Sequence, residues 1–228
     1  MPPAPHRRQS ETGPGSWFAR EPALRLVQAV QREAVPELTR VFGHSGLFLR
    51  PSEQVPARLS GNLLAQVVSL HRAGGGFAGQ FDCEDIALPL ATGSLALVYA
   101  LFVLETSRSP GELLQEMARV LKPEGSLMLL VLNPWSPMRL RWARHGLRPV
   151  SGGWVRAALA EAELELVRWR SLGPFWAGRD RLELRPERRT GLEGLRAARL
   201  LVARKREAGL TPLRAPAGLA FRPGISAG

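Results

Sequence analysis

Residues 81–134 read FDCEDIALPLATGSLALVYALFVLETSRSPGELLQEMARVLKPEGSLMLLVLNP, and they decide the fold. Within them, 94–104 is an apolar run with too few polar residues for a surface strand. Such runs belong to central parallel strands buried on both faces. Ser109, Pro110 and Glu112 open a helix: the serine as cap, the proline at the first position, the glutamate completing a capping box. Leu113, Leu114, Met117, Val120 and Leu121 recur at helical spacing and give it one apolar face. The run 122–125 (KPEG) stops the helix, and 126–132 is a second buried strand closed by Asn133 and Pro134. A strand–helix–strand crossover forces a parallel pair, so the chain is α/β.

The same residues resemble the second half of class I S-adenosylmethionine-dependent methyltransferases of the type 11 kind. The pattern there is an acid shortly before Leu-Pro, a strand ending in Leu-Glu, then Glu-x-x-Arg-Val-Leu-Lys-Pro-Gly-Gly. Glu84 or Asp85, Leu88 and Pro89, Leu104 and Glu105, Glu116, Arg119 to Pro123 and Gly125 match it, with Glu124 in place of the first glycine. The match is close over about a quarter of the chain and loose over residues 40–205. The resemblance implies a Rossmann-like, mostly parallel sheet of roughly seven strands with helices on both faces. It implies S-adenosylmethionine as cofactor and methyl transfer as the reaction. It also implies that Glu84 or Asp85 accepts a hydrogen bond from the adenine amino group, that the next amide (Ile86, after Asp85) serves a ring nitrogen, and that Phe48, Arg50 and Phe102 lie along the cofactor cleft.

The first half departs from that pattern. The family's first strand ends in an acid and a glycine-rich turn, where absent side chains let the backbone approach the cofactor. Here Leu47, Phe48 and Leu49 are followed by Arg50, Pro51, Ser52 and Glu53, with no glycine in the turn. The second strand, expected over 65–70, should end in an acid that binds both ribose hydroxyls; His71 and Arg72 stand there instead. In the strand at 94–104, Ala96 replaces the family's aspartate. Gly74, Gly75 and Gly76 lack the Lys-Ser/Thr of a phosphate loop and read as a hairpin-like turn. Asn133, Pro134 and Trp135 echo the amino-methylating Asn-Pro-Pro-Tyr turn, but after the wrong strand and without the second proline.

For the remainder, the pattern predicts packing by Trp17 and Phe18, then a helix over 21–40 that Pro36 kinks or shortens. It predicts a short or irregular helix over 55–64, a third strand over 77–83, and a basic aromatic stretch at 138–144 with Trp142 packed inward or its arginines guiding an anionic partner. It further predicts a helix over 153–162, an edge strand over 163–170, a variable insertion over 173–190 and a closing strand over 200–206. Residues 1–16 and 207–228 are polar and rich in Pro, Gly and charge, and read as disordered tails around one domain at 17–206. His44 reads as a solvated loop residue and Tyr99 as structural. No residue stands out as a general base.

Composition sets outer bounds. The one cysteine, Cys83, excludes an internal disulfide and a multi-cysteine metal site. No stretch is long and apolar enough for a membrane span, and the N-terminal residues lack an apolar signal core, so a bacterial-type cytoplasmic location is expected. Residues 1–138 hold 12 Lys/Arg against 12 Asp/Glu, whereas 139–228 hold 19 against 8, which accounts for the whole net charge of +11. A basic end suits nucleic acid, an anionic lipid or an anionic substrate; an arginine-over-lysine skew is also what a GC-rich genome produces. Two functions follow from different classes. One is methyl transfer to an unidentified acceptor. The other is a non-catalytic, degenerate methyltransferase-like domain that binds a nucleic acid or another anionic partner through its arginine-rich C-terminal part.

Overall fold

The pairing of buried apolar runs builds an eight-stranded sheet in the computed structural model, which describes residues 14–175 and 193–206. The strands are β1 (Phe42–Arg50), β2 (Leu63–Ala73), β3 (Gly76–Gly79), β4 (Cys83–Glu84), β5 (Leu95–Leu101), β6 (Leu121–Leu132), β7 (Leu164–Leu172) and β8 (Ala198–Lys205). Their order is β4-β3-β2-β1-β5-β6-β8-β7. The central run β2, β1, β5 and β6 is parallel, and the pairs on either flank are antiparallel. Every residue of β5 is buried, as its apolar run requires for a strand covered on both faces.

Among the described residues four α-helices cover the sheet: α1 (Glu21–Leu38), α2 (Pro110–Val120), α3 (Arg139–Trp142) and α4 (Gly152–Glu161). Apolar side chains of α1 join Trp17, Phe18, Phe48, Tyr99 and Trp142 on one face. Those of α2 and α4 join Leu47, Leu49, Val98 and Leu129 on the other. Alternation along β1 divides Phe48 from its two neighbours. Pro36 falls in the last turn of α1, and the helix ends two residues later.

Four sequence expectations change. Residues 55–64 form turns and bends up to β2, not a helix, because Pro56 and Gly61 interrupt it and Arg50 takes the Val55 carbonyl at its start. The third strand at 77–83 is split into β3, antiparallel to β2, and β4, antiparallel to β3, so the sheet has eight strands instead of about seven. Gly76 permits that hairpin: a Cβ there would meet the Cys83 carbonyl oxygen at 2.2 Å. The Ser109 side chain makes no cap bond; Ser107 Oγ accepts from the Ser109 amide at 3.1 Å instead. Finally, α2 ends at Val120 and β6 begins at Leu121, so 122–125 lie within the strand and not before it; Glu124 there sits at φ 61°, a left-handed conformation that explains why the resembling pattern places glycine at this position. The tails at 1–13 and 207–228, and residues 176–192 of the expected insertion, lie outside the described residues.

Candidate functional site

In an open α/β sheet, ligands bind beyond the carboxyl ends of the parallel strands, where neighbouring connections run in opposite directions. Here that switch point lies between β1, which leads to β2 on one side, and β5, which leads to β6 on the other. The segments emerging there are 51–55 after β1 and 102–106 after β5.

The switch point is filled by the chain itself. Phe18 stacks on Phe102, ring centroids 5.4 Å apart and planes 12° apart. Ser52 Oγ donates to the Phe18 carbonyl at 3.2 Å, which fixes the N-terminal segment to the loop after β1. Trp17 packs edge-on against Phe18 at 4.9 Å and against Trp142 at 6.1 Å. Phe18, Phe48, Phe102 and Trp142 have no exposed surface. Phe102 itself lies at φ 51°, a conformation rare for an aromatic residue and held by the surrounding packing.

Arg50 does not point into an open cleft. Its Nη1 donates to the Glu53 carbonyl at 3.2 Å and to the Val55 carbonyl, so the guanidinium folds into its own loop. Burial lowers its pKa from the ordinary arginine value. Phe48 meets Tyr99 edge-on at 5.4 Å, inside the core.

The two candidate acids have separate fates. Asp85 is buried and accepts from Arg72 Nη1 at 3.0 Å and from Ser107 Oγ at 2.7 Å. Arg72 also donates to Thr106 Oγ1 at 3.2 Å and to the Val103 carbonyl at 3.1 Å, and lies over the Phe77 ring at 4.1 Å. Arg72 therefore ties the end of β2 to the end of β5 and neutralises Asp85. Burial lowers its pKa, and the Asp85 carboxylate counteracts that. Glu84 is exposed, and its carboxylate makes no hydrogen bond or ion pair among the described residues. It begins a turn in which the Ala87 amide donates to the Glu84 carbonyl at 3.3 Å. The Ile86 side chain is 42 % exposed and faces α2, beside Glu112 and Glu116.

The Glu116 and Arg119 pair has a structural task. Glu116 Oε2 accepts from the Leu88 amide at 3.1 Å, and Arg119 donates to the carbonyls of Leu88 and Leu90 at 2.9 and 3.0 Å. The two side chains clamp the Leu-Pro loop that follows Glu84. Their mutual hydrogen bonds hold the Glu116 carboxyl below its ordinary range. Sequence reasoning missed three residues: Phe18 as the occupant of the switch point, Arg72 as the partner of Asp85, and Glu105. Glu105 is fully enclosed, accepts from the Leu132 amide, and its pKa is pushed up to about 8 by burial. The only advance signal was an arginine and a glutamate placed at the ends of apolar strands.

The region that carries these contacts is also the region that matches known proteins. Residues 59–129 match the family model described as a methyltransferase domain. The fold is of the methyltransferase type. The similarity to a curated protein is short: 39 % identity over 66 residues with the malonyl-[acyl-carrier protein] O-methyltransferase of Laribacter hongkongensis, covering 28 % of this chain and 22 % of that protein. The chain thus spans about a fifth of that relative's length.

Solved structures carry the methyltransferase fold further. A chain from the complex of the Haloferax volcanii Trm112 methyltransferase activator with a putative methyltransferase has a TM-score of 0.55 at 15 % identity, covering 85 % of this chain and 96 % of that one. A possible histamine N-methyltransferase from Thermotoga maritima gives 0.53 at 14 %, over 84 % and 94 %. Geranyl diphosphate C-methyltransferase from Streptomyces coelicolor, solved with S-adenosyl-L-homocysteine, gives 0.53 at 17 %, over 78 % and 79 %. At these identities the likeness is one of fold. No helix among the described residues is long and apolar enough to cross a membrane.

The methyltransferase fold raises the question of whether this crevice suits S-adenosylmethionine. At the β4 edge Glu84 leaves a carboxylate unengaged among the described residues. Toward β1 and β2 the arrangement does not suit that cofactor. Arg72 replaces the diol-binding acid, Arg50 and Pro51 replace the glycine turn, and Phe18 fills the space over Phe102.

Proposed function

We propose that this chain is a methyltransferase that takes its methyl group from S-adenosylmethionine and passes it to an acceptor still to be identified. The observation that carries the reading is the free Glu84 carboxylate, held at the crevice by a Leu-Pro loop that Glu116 and Arg119 clamp. Glu84 accepts the adenine amino group and the neighbouring backbone supplies the ring-nitrogen contact. The cofactor supplies an electrophilic sulfonium methyl, and the chain's part is to orient it. The acceptors named for two similar proteins, a malonyl group on a carrier protein and geranyl diphosphate, differ too widely to choose between them. A cytoplasmic location goes with this reading.

A second reading, a degenerate domain that retains the sheet without the cofactor, is favoured by two observations: the Arg72–Asp85 pair and the Phe18–Phe102 stack. Thermal unfolding with S-adenosylmethionine or S-adenosylhomocysteine separates the two. At about a hundredfold excess over the dissociation constant, binding adds about 2.7 kcal/mol, a rise of roughly 5 to 10 °C for a domain of this size. Methyl transfer predicts that rise, and its loss in Glu84→Ala without a fall in the unliganded melting temperature. No rise with either ligand at millimolar concentration would leave the degenerate domain as the answer.

A further inference from the structure

The segment that follows β6 anchors three apolar side chains in the core and holds two others out. Asn133 is fully buried, and its side-chain amide donates to the carbonyls of Gly194 and Arg196, both at 2.7 Å. Its side-chain oxygen accepts from the Trp135 amide at 3.2 Å, and its carbonyl accepts from the Ser136 amide at 3.0 Å. Met138, Trp142 and Leu147 are anchored in the core behind it. The turn so fixed presents Trp135 at 72 % exposure, and the short helix α3 that follows presents Leu140 at 66 %. Lone exposed apolar residues are ordinary on a surface. A tryptophan held out by a buried, doubly bonded asparagine is not a residue left over by loose packing.

The charge around these two residues has one sign. Residues 125–160 contain five arginines and no Asp or Glu. Arg139, Arg141, Arg144 and Arg148 are exposed, and none forms an ion pair among the described residues. Four arginines on the other flank of the molecule are paired instead. Arg168 and Arg170 share Glu37, Arg196 holds Glu33, and Arg204 reaches Glu124.

From the exposed Trp135 and Leu140 set among these unpaired arginines, we infer that residues 134–148 dock on an anionic phospholipid bilayer. Tryptophan has an apolar body and a polar edge and is favoured at the headgroup level. Leucine adds apolar area below that level, and arginine pairs with phosphate while its stem lies along the interface. Single-stranded nucleic acid fits less well. Bases need successive aromatic platforms, whereas Trp135 is the one exposed aromatic of the segment, and its exposed neighbours Pro137 and Leu140 offer a base no stacking face. The docking is peripheral and independent of methyl transfer.

The test is co-sedimentation of the full chain with phosphatidylcholine vesicles, with and without phosphatidylglycerol. The expected result is binding to the anionic vesicles alone, weakening as salt rises. Each arginine at an anionic surface contributes roughly a fivefold gain in partitioning. The triple variant Arg139→Ala/Arg141→Ala/Arg144→Ala should therefore lose about a hundredfold. The double variant Trp135→Ala/Leu140→Ala should lose binding that high salt does not remove. All five positions are exposed, so unchanged thermal unfolding verifies that both variants are folded. Absence of binding to anionic vesicles at low salt overturns the proposal. So does wild-type binding by the triple variant, which would assign the affinity to arginines elsewhere. Tighter, Trp135-dependent binding to an oligonucleotide than to vesicles also overturns it, in favour of nucleic acid.

Discussion

At the scale of single residues, the carboxyl edge of the sheet is governed by which charges are neutralised. Asp85 is matched by Arg72, and breaking a buried pair by removing one partner costs far more than the pair contributes; neither residue is free to serve a ligand. Glu105 is solved differently. It is enclosed, one oxygen accepts from the Leu132 amide, and the other has no partner. Burial raises its pKa from the ordinary 4.5 to about 8. Between those values the folded protein holds a proton that the unfolded chain has released. Glu105 therefore supports the fold fully below the lower value, and that support is lost as pH rises toward the upper one. The slope is at most about 1.4 kcal/mol per pH unit. Glu105→Gln cannot titrate, so the wild-type melting temperature should fall relative to the variant between about pH 5 and 8. Parallel melting curves across that range would show that the carboxyl is ionised in the fold.

At the scale of elements, the N-terminal segment at 17–18 is the piece that closes the switch point. Removing a buried phenylalanine costs about 3 to 5 kcal/mol, so Phe18→Ala should lower the melting temperature by roughly ten degrees. The same change opens a space over Phe102. If the crevice is the cofactor's, added S-adenosylmethionine should raise the melting temperature of the variant by more degrees than it raises that of the wild type. An equal or smaller rise would show that Phe18 does not compete with the ligand. Sequence patterns revealed much at this scale and failed where tertiary contacts decide. The β5, α2 and β6 elements were legible because their apolar runs and 3.6-residue period reflect burial directly. Residues 55–64 were not, because the apolar spacing of Val55, Leu59 and Leu63 suits a helix while Arg50, five residues earlier, takes the Val55 carbonyl. The hairpin of β2 and β3 was half legible: the three glycines mark its turn, but the direction of β3 depends on its pairing with β2.

At the scale of the whole molecule, stability should be graded from the centre of the sheet outward. β5 and β6 are buried along nearly their whole length, and β1 becomes so at its carboxyl end. At one edge β4 is two residues long, and at the other β7 leaves alternate residues exposed. The methyltransferase fold was legible as a whole because its central strands must be apolar. The state of its crevice was not, because Phe18 meets Phe102 across more than eighty residues of sequence and no local pattern encodes that contact. Hydrogen exchange reads both features together. Amides of β5 and β6 should exchange with the global unfolding free energy, and those of β4 and residues 51–62 through local opening. Added S-adenosylmethionine should slow exchange at 50–55, 84–88 and 102–106 if the crevice binds it. Slowing spread evenly over the sheet, with none concentrated at those strand ends, would mean that the ligand stabilises the domain from another place and that the crevice belongs to Phe18 alone.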